Sequence, residues 1–190
     1  MTTVQGRLVH FAVDTNASLF TVQAFASGIV AVVAHSPKFA IRNFTGEMDF
    51  SPDSMQNASV KLMINVGSLE IMDEVRQTER REIERVMFDE MLEKNRFPQV
   101  EFSSTHVNAI KTATSTYKMN VMGDLSLHGI TRGMRLESQV MVGEDTLKAH
   151  GSFSIRQSDY GLKIASVAGG TLKLKDELKC AYFIVARRRD

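Results

Sequence analysis

Only one cysteine, Cys180, occurs in the 190 residues, so an internal disulfide is excluded and the chain must hold itself together without covalent cross-links. Charge of one sign is missing too: 23 Lys and Arg face 22 Asp and Glu, a formal net charge of +1. No whole-protein field therefore draws the chain to nucleic acid. The most apolar stretch, Phe20 to Ala34, is interrupted by Thr21, Gln23, Ser27 and Gly28 and falls short of the ~20 residues needed to cross a bilayer. It reads as a buried strand pair. The opening MTTVQGRLVH lacks the basic region and apolar run of a secretory signal, and the sequence as written is expected to be cytoplasmic.

Catalytic and metal-binding patterns are equally scarce. The five histidines, His10, His35, His106, His128 and His150, form no His-x-His or His-Glu-x-x-His spacing, and no paired cysteines accompany them, so no metal site is expected. There is no Gly-x-Ser-x-Gly elbow, phosphate loop or dinucleotide fingerprint. Cys180 lies in the apolar run Leu178 to Val185 and reads as a small buried group rather than a nucleophile. The expectation is no enzyme, no catalytic residue and no cofactor.

Period two is abundant. Val60, Leu62, Ile64 and Val66 alternate with Lys61 and Asn65; Tyr117, Met119, Val121, Leu125 and Leu127 alternate with Lys118, Asn120, Asp124 and Ser126; Leu147, Ala149, Phe153 and Ile155 alternate with Lys148, His150, Ser152 and Arg156. Half-buried strands explain that spacing and helices do not. Turn residues at Asn43 to Gly46, Ser51-Pro52-Asp53, Gly129 and Gly143-Glu144-Asp145 keep the connections short, which favours antiparallel neighbours. The pattern predicts an all-β, antiparallel chain of about eight to ten strands in one domain spanning residues 1–190. One segment departs from it. Residues 73–96 place Val75, Glu79, Ile83, Met87 and Met91 about four apart, with Pro98 beyond, which predicts a helical insertion, in one piece or two, covering one end of the sheet. Closing such a sheet into a barrel removes its edges, and an eight-stranded barrel is either filled by side chains or hollow enough for one ligand. Alternation alone leaves that choice open.

Four blocks of sequence carry a resemblance. FAVDTNASLFTVQA leads from Phe11 towards Gly28 and His35; NFTGEMDF follows; then MFDEMLEKNRFPQVEFSST; and finally MGDLSLHGITRGMRL with GSFSIRQSDYGLK. Together, from about Phe11 to Ala186, they resemble the YceI-like family, the lipocalin-like polyisoprenoid-binding proteins of bacteria. The resemblance implies a lipocalin-like antiparallel barrel with a helical insertion, enclosing a long apolar tunnel for an isoprenoid or other long-chain amphiphile. Two departures stand out. Many members carry Arg where Gln157 precedes Ser158-Asp159-Tyr160-Gly161, and many carry a secretory signal and are periplasmic.

The expected function is non-catalytic binding, sequestration or transport of a polyisoprenoid, isoprenoid quinone or fatty species inside the barrel. The expected lining is the inward phase: Phe20, Val22, Val60, Leu62, Ile64, Phe102, Tyr117, Met119, Val121, Leu125, Met134, Leu136, Phe153 and Ile155. His35 at the barrel mouth and Gln157 and Asp159 in a polar corner are candidate head-group contacts. Eleven methionines suit a deformable wall. Met63, Met122 and Met141 fall on the outward phase and leave a homodimer face open, which would suit a solid-cored interaction module. A lipid-modifying enzyme is the third alternative. His128 is expected to be an exposed turn residue, and Arg187-Arg188-Arg189 a solvated end that leaves transient membrane contact open.

Overall fold

The alternating segments pair into one antiparallel sheet of twelve strands in the computed structural model, which describes residues 8–27, 36–51, 55, 58–164, 166–167 and 172–189. In chain order these are β1 (Val9–Val13), β2 (Leu19–Ser27), β3 (Lys38–Ile41), β4 (Phe44–Phe50), β5 (Ser59–Asn65), β6 (Leu69–Ile71), β7 (Gln99–Ala113), β8 (Thr116–Leu127), β9 (Ile130–Val142), β10 (Thr146–Arg156), β11 (Ser166–Val167) and β12 (Leu172–Arg189). Eight of them close a ring in the order β1-β4-β5-β7-β8-β9-β10-β12, the last returning to β1 from His10–Arg189 to Val13–Ala186. The protein is an antiparallel β-barrel.

More strands occur than alternation predicts because three long strands are broken in the middle. Strands β1 and β2 lie end to end along β12, with Val13 opposite Ala186 and Leu19 opposite Phe183. Between them Thr15–Ala17 form a 3-10 turn, where the Asp14 carboxylate accepts the Ala17 N–H, and the Ser18 hydroxyl oxygen accepts the Val185 N–H at 2.9 Å. Arg42 and Asn43 separate β3 from β4, and the turn Val66–Ser68 separates β5 from β6. Strands β2, β3 and β6 thus prolong the sheet beyond the closed ring.

The interior is built from aromatics of the N-terminal strands. Phe11, 1% exposed, stacks on Phe50 at 5.4 Å between centroids, and Phe20 meets Phe44, Phe153 and Tyr182 edge-on. Such pairs add to the burial of large apolar surfaces. Cys180 is buried among them, as expected.

The helical insertion is shorter than 73–96. Helix α1 covers Gln77–Arg85 and widens into a π-helical turn over Val86–Met91. The residues before it serve the sheet instead: the Asp73 carboxylate accepts the Lys38 N–H at 2.7 Å, and the Arg80 guanidinium donates to the Ile71 carbonyl. Met87 packs with Phe39 and Ile71, with Val75, Ile83 and Leu92 around them, so the helix sits on β3 and β6 by its apolar stripe.

One surface expectation needs correction. His128 is only 12% exposed in its side chain. It and Gly129 both take positive φ, 53° and 75°, in the two-residue turn joining Leu127 to Ile130, a geometry that matches strand twist but disfavours Cβ-bearing residues. The His128 Nε2 lies 2.8 Å from a Glu93 carboxylate oxygen, Nδ1 lies 3.3 Å from the Tyr160 carbonyl, and the ring leans on Phe97. These contacts hold the turn under the helix–strand linker. Arg187 and Arg189 are exposed, as expected of a solvated end, and with Arg188 they are also rungs of the β12–β1 ladder that closes the barrel, where Arg187 donates to Asp14 at 2.7 Å. That pair holds the Asp14 carboxyl below the usual carboxylate range.

Candidate functional site

Inward-pointing residues of a barrel must either meet across the axis or leave a hollow, and here they leave a cavity of about 370 Å3. That volume falls within the range of small-molecule and cofactor sites. Phe20, Val22, Val60, Leu62, Ile64, Phe102, Met119, Val121, Leu125, Met134, Leu136, Phe153 and Ile155 all border it. Strict alternation on β5, β8, β9 and β10 is what brings them to one space.

Gln157 also borders the cavity, whereas two other candidates stand elsewhere. Tyr117 shares the inward phase of β8 but sits by the turn to β7, packed on the edge of the apolar cluster and off the cavity wall. Asp159 lines a separate outer groove with Arg132, Arg156, Tyr160 and Glu177. His35 and Gly28 lie outside the described residues, as does the second half of the Phe20–Ala34 stretch.

Among the parts of the wall missing from the predicted lining, two stand out. Val75, Ile83, Val86, Met87, Met91 and Leu92 close the cavity from the helical insertion. Their four-residue stripe was visible, but nothing local says that it faces the hollow as well as the sheet. The π-helical turn is where the helix meets the cavity, since Val86, Met87 and Met91 belong to it. The second part is Val140, Leu147, Ala149 and Cys180, which share the phase of chosen neighbours and extend the lining downward along β9, β10 and β12.

The wall offers little polar chemistry. The Asp49 carboxylate takes His10 Nδ1 at 2.7 Å and the Ser59 hydroxyl at 3.3 Å, Asp73 takes the Lys38 N–H, and the Ser138 hydroxyl donates to the His150 carbonyl. Burial pushes the Cys180 thiol up to about 12, so it is protonated at neutral pH and behaves as an apolar wall group. Burial likewise raises the Tyr182 phenol, whose hydroxyl donates to the Glu137 carbonyl. No cluster of three or more His, Cys, Asp or Glu suited to a metal occurs among the described residues.

Gln157 is the exception. It is fully buried, its Nε2 donates to the Lys175 carbonyl at 2.8 Å, and its Oε1 is the one buried side-chain polar atom without a partner among the described residues. Leaving a buried acceptor unpaired costs about 1–3 kcal/mol. Its neighbours hold it firmly. Strand β12 bulges between Leu174 and Leu178, which frees the Lys175 carbonyl and puts Asp176 against the turn Gln157–Tyr160. Asp176 accepts both the Ser158 N–H at 2.7 Å and the Ser158 hydroxyl at 2.6 Å, and these bonds keep its carboxyl below the usual range. The loop is therefore knitted by Asp176.

The wall is also uneven. The β9–β10 ladder runs from Val142–Leu147 to Ser138–Gly151 and ends there. Beyond it Ile130–Glu137 pair as strand only with β8, and Ser152–Arg156 only with β12. The outer groove lies along this parting, and Met134 and Ile155 border both the groove and the cavity.

A family model described as the YceI-like domain matches residues 11–185. Among solved structures, BcnA of Burkholderia cenocepacia is similar at 18% identity and a TM-score of 0.67, covering 91% of this chain and 98% of its own. A polyisoprenoid-binding domain from Saccharophagus degradans, implicated in plant cell wall breakdown, aligns at 14% identity and a TM-score of 0.68, covering 96% of this chain and 100% of its own. The YceI protein of Campylobacter jejuni aligns at 15% identity and a TM-score of 0.58, covering 79% of this chain and 84% of its own. No curated protein matches the sequence.

Proposed function

The chain belongs to the YceI-like family, and from its hollow barrel we propose that it sequesters or carries a long-chain apolar amphiphile, an isoprenoid, isoprenoid quinone or fatty species, without catalysing a reaction on it. The observation that carries this reading is the cavity itself: about 370 Å3 bordered mainly by apolar side chains from the strands and the helical insertion, with the charged Asp49, Lys61 and Asp73 on its wall. Burying a fifteen-carbon tail at ~0.8 kcal/mol per methylene gives roughly 12 kcal/mol before ordering costs. That suffices for useful affinity without any reactive group. The description of the Saccharophagus degradans domain as polyisoprenoid-binding supports the same ligand class. The hollow also weighs against a solid-cored interaction module, although Met63, Met122 and Met141 do stand exposed on the outer face.

Filling the hollow tests the proposal. The chain contains no tryptophan, so Val121→Trp and Leu125→Trp each add bulk to the wall and a unique fluorophore. A folded variant, checked by its circular dichroism and melting curve, is expected to lose at least about tenfold in affinity for a fluorescent long-chain probe. Unchanged affinity in a folded variant would contradict binding in this cavity.

A further inference from the structure

The geometry points to Gln157 as the group that anchors the ligand's polar end and selects a neutral hydroxyl there; this rests on the binding function proposed above. The orientation of the amide follows from its partner. Lys175 presents a carbonyl, which only accepts, so the Gln157 NH2 must face it at 2.8 Å and Oε1 must face the other way. Oε1 is buried and has no protein partner, and Gln157 borders the cavity. A donor brought to this corner by a molecule in the cavity would satisfy it.

The surroundings define what fits. Ile155, Leu162, Leu174 and Leu178 line the same cavity. An anionic head, such as a phosphate or carboxylate, would face the lone pairs of Oε1, and the amide's donor side is already turned to Lys175. A cation would be stripped of water against one neutral oxygen, which is strongly unfavourable. A neutral O–H satisfies Oε1 and brings no charge into the apolar wall. A head group held at this corner is therefore an alcohol or phenol rather than a phosphate ester, and Gln157 sets that choice.

The mount is built for such a role. The bulge of β12 supplies the Lys175 carbonyl, Asp176 clamps Ser158, the Leu162 N–H donates to the Gln157 carbonyl, and Gly161 at φ 65° ends the turn. A side chain so held gives up little further freedom on binding, so its hydrogen bond adds fully to affinity.

The test compares geranylgeraniol, its methyl ether and its monophosphate as competitors of a fluorescent probe, on the wild-type protein and on Gln157→Leu, with Gln157→Met as the second variant should the first not fold. The wild type is expected to bind the alcohol about tenfold more tightly than the ether, as one neutral hydrogen bond allows, and to bind the phosphate more weakly than either. The leucine or methionine variant is expected to bind alcohol and ether alike, with the ether's affinity retained. Equal binding of alcohol and ether by the wild type, tight binding of the phosphate, or a preference that survives the substitution would each overturn the assignment while leaving the binding function intact. Failure of all three compounds to bind the wild type would instead overturn the binding function itself.

Discussion

Strand β9 has two sides that behave differently. Towards β8 its ladder is continuous from Met141–Thr116 to Ile130–Leu127; towards β10 it holds only from Val142–Leu147 to Ser138–Gly151 and then parts. The same residues thus belong to a sealed seam and to an open one. The two glycines beside these seams show why. Gly123 lets the Phe102 ring and the Ser103 carbonyl approach so closely that a Cβ would lie 2.5 Å from each, which draws β7 and β8 together. Gly151, the last β10 residue in the short ladder, gives up the equivalent space to Tyr182, whose hydroxyl would lie 2.5 Å from a Cβ there and donates to the Glu137 carbonyl. One glycine closes a wall, while the other lets a side chain wedge into the place where the wall divides. The cavity lies behind both, and a groove runs along the outer face of the divided seam.

Hydrogen exchange should show the largest contrast. Amides of Thr116–Leu127, flanked by β7 and β9, are expected to be protected throughout, whereas alternate amides of Ile130–Glu137, those facing β10, should exchange on the order of a thousandfold faster or more. Uniform protection along β9 would erase the distinction. Next in size, Gly123→Ala should cost about 2–3 kcal/mol in denaturant unfolding, because ring and carbonyl on a continuous wall cannot both move aside. A Cβ at Gly151 would also meet the Glu137 carbonyl, at 2.6 Å, but Gly151 is the last rung before β9 and β10 part, so the chain there can give and Gly151→Ala should cost less, about 1–2 kcal/mol; an equal or larger loss would mean that the open seam is as rigid as the closed one.

The smallest effect concerns the clamp at the end of the open seam. Asp176 is held below its ordinary carboxylate value by the Ser158 hydroxyl and N–H. A depressed folded-state value means that its stabilisation is present above the unfolded carboxylate range, near 4, and is lost as pH falls through the folded value. Asp176→Asn should therefore melt below the wild type at neutral pH, with the gap narrowing in acid. A gap independent of pH would remove the charged clamp from the account.

How far the sequence leads follows the same division. Alternation along β5, β8 and β10 places Leu62, Val121, Leu125 and Phe153 on the cavity wall because period two is a local property of the strand. It places Tyr117 there too, mistakenly, since phase does not tell where along a strand the hollow ends. Burial of Gln157 depends on a bulge in β12 eighteen or so residues later, and that of His128 on Glu93, far back in the chain; no local pattern reports either. The breaks at Thr15–Ala17 and Val66–Ser68 are short turns within long strands, so alternation undercounts the segments while still finding the barrel. The resemblance to the YceI-like family supplied the hollow interior that alternation left open, and its departure at Gln157 marked the position where the wall carries its unpaired acceptor.

The central claim is that the barrel is hollow in order to hold a long-chain molecule. Native mass spectrometry of the protein purified without detergent, followed by organic extraction and identification of what accompanies it, tests this most directly. The account predicts a stoichiometric adduct of an isoprenoid or fatty species, or uptake of one when it is supplied. A bare mass that stays bare after incubation with isoprenoid alcohols, quinones and fatty acids would contradict it.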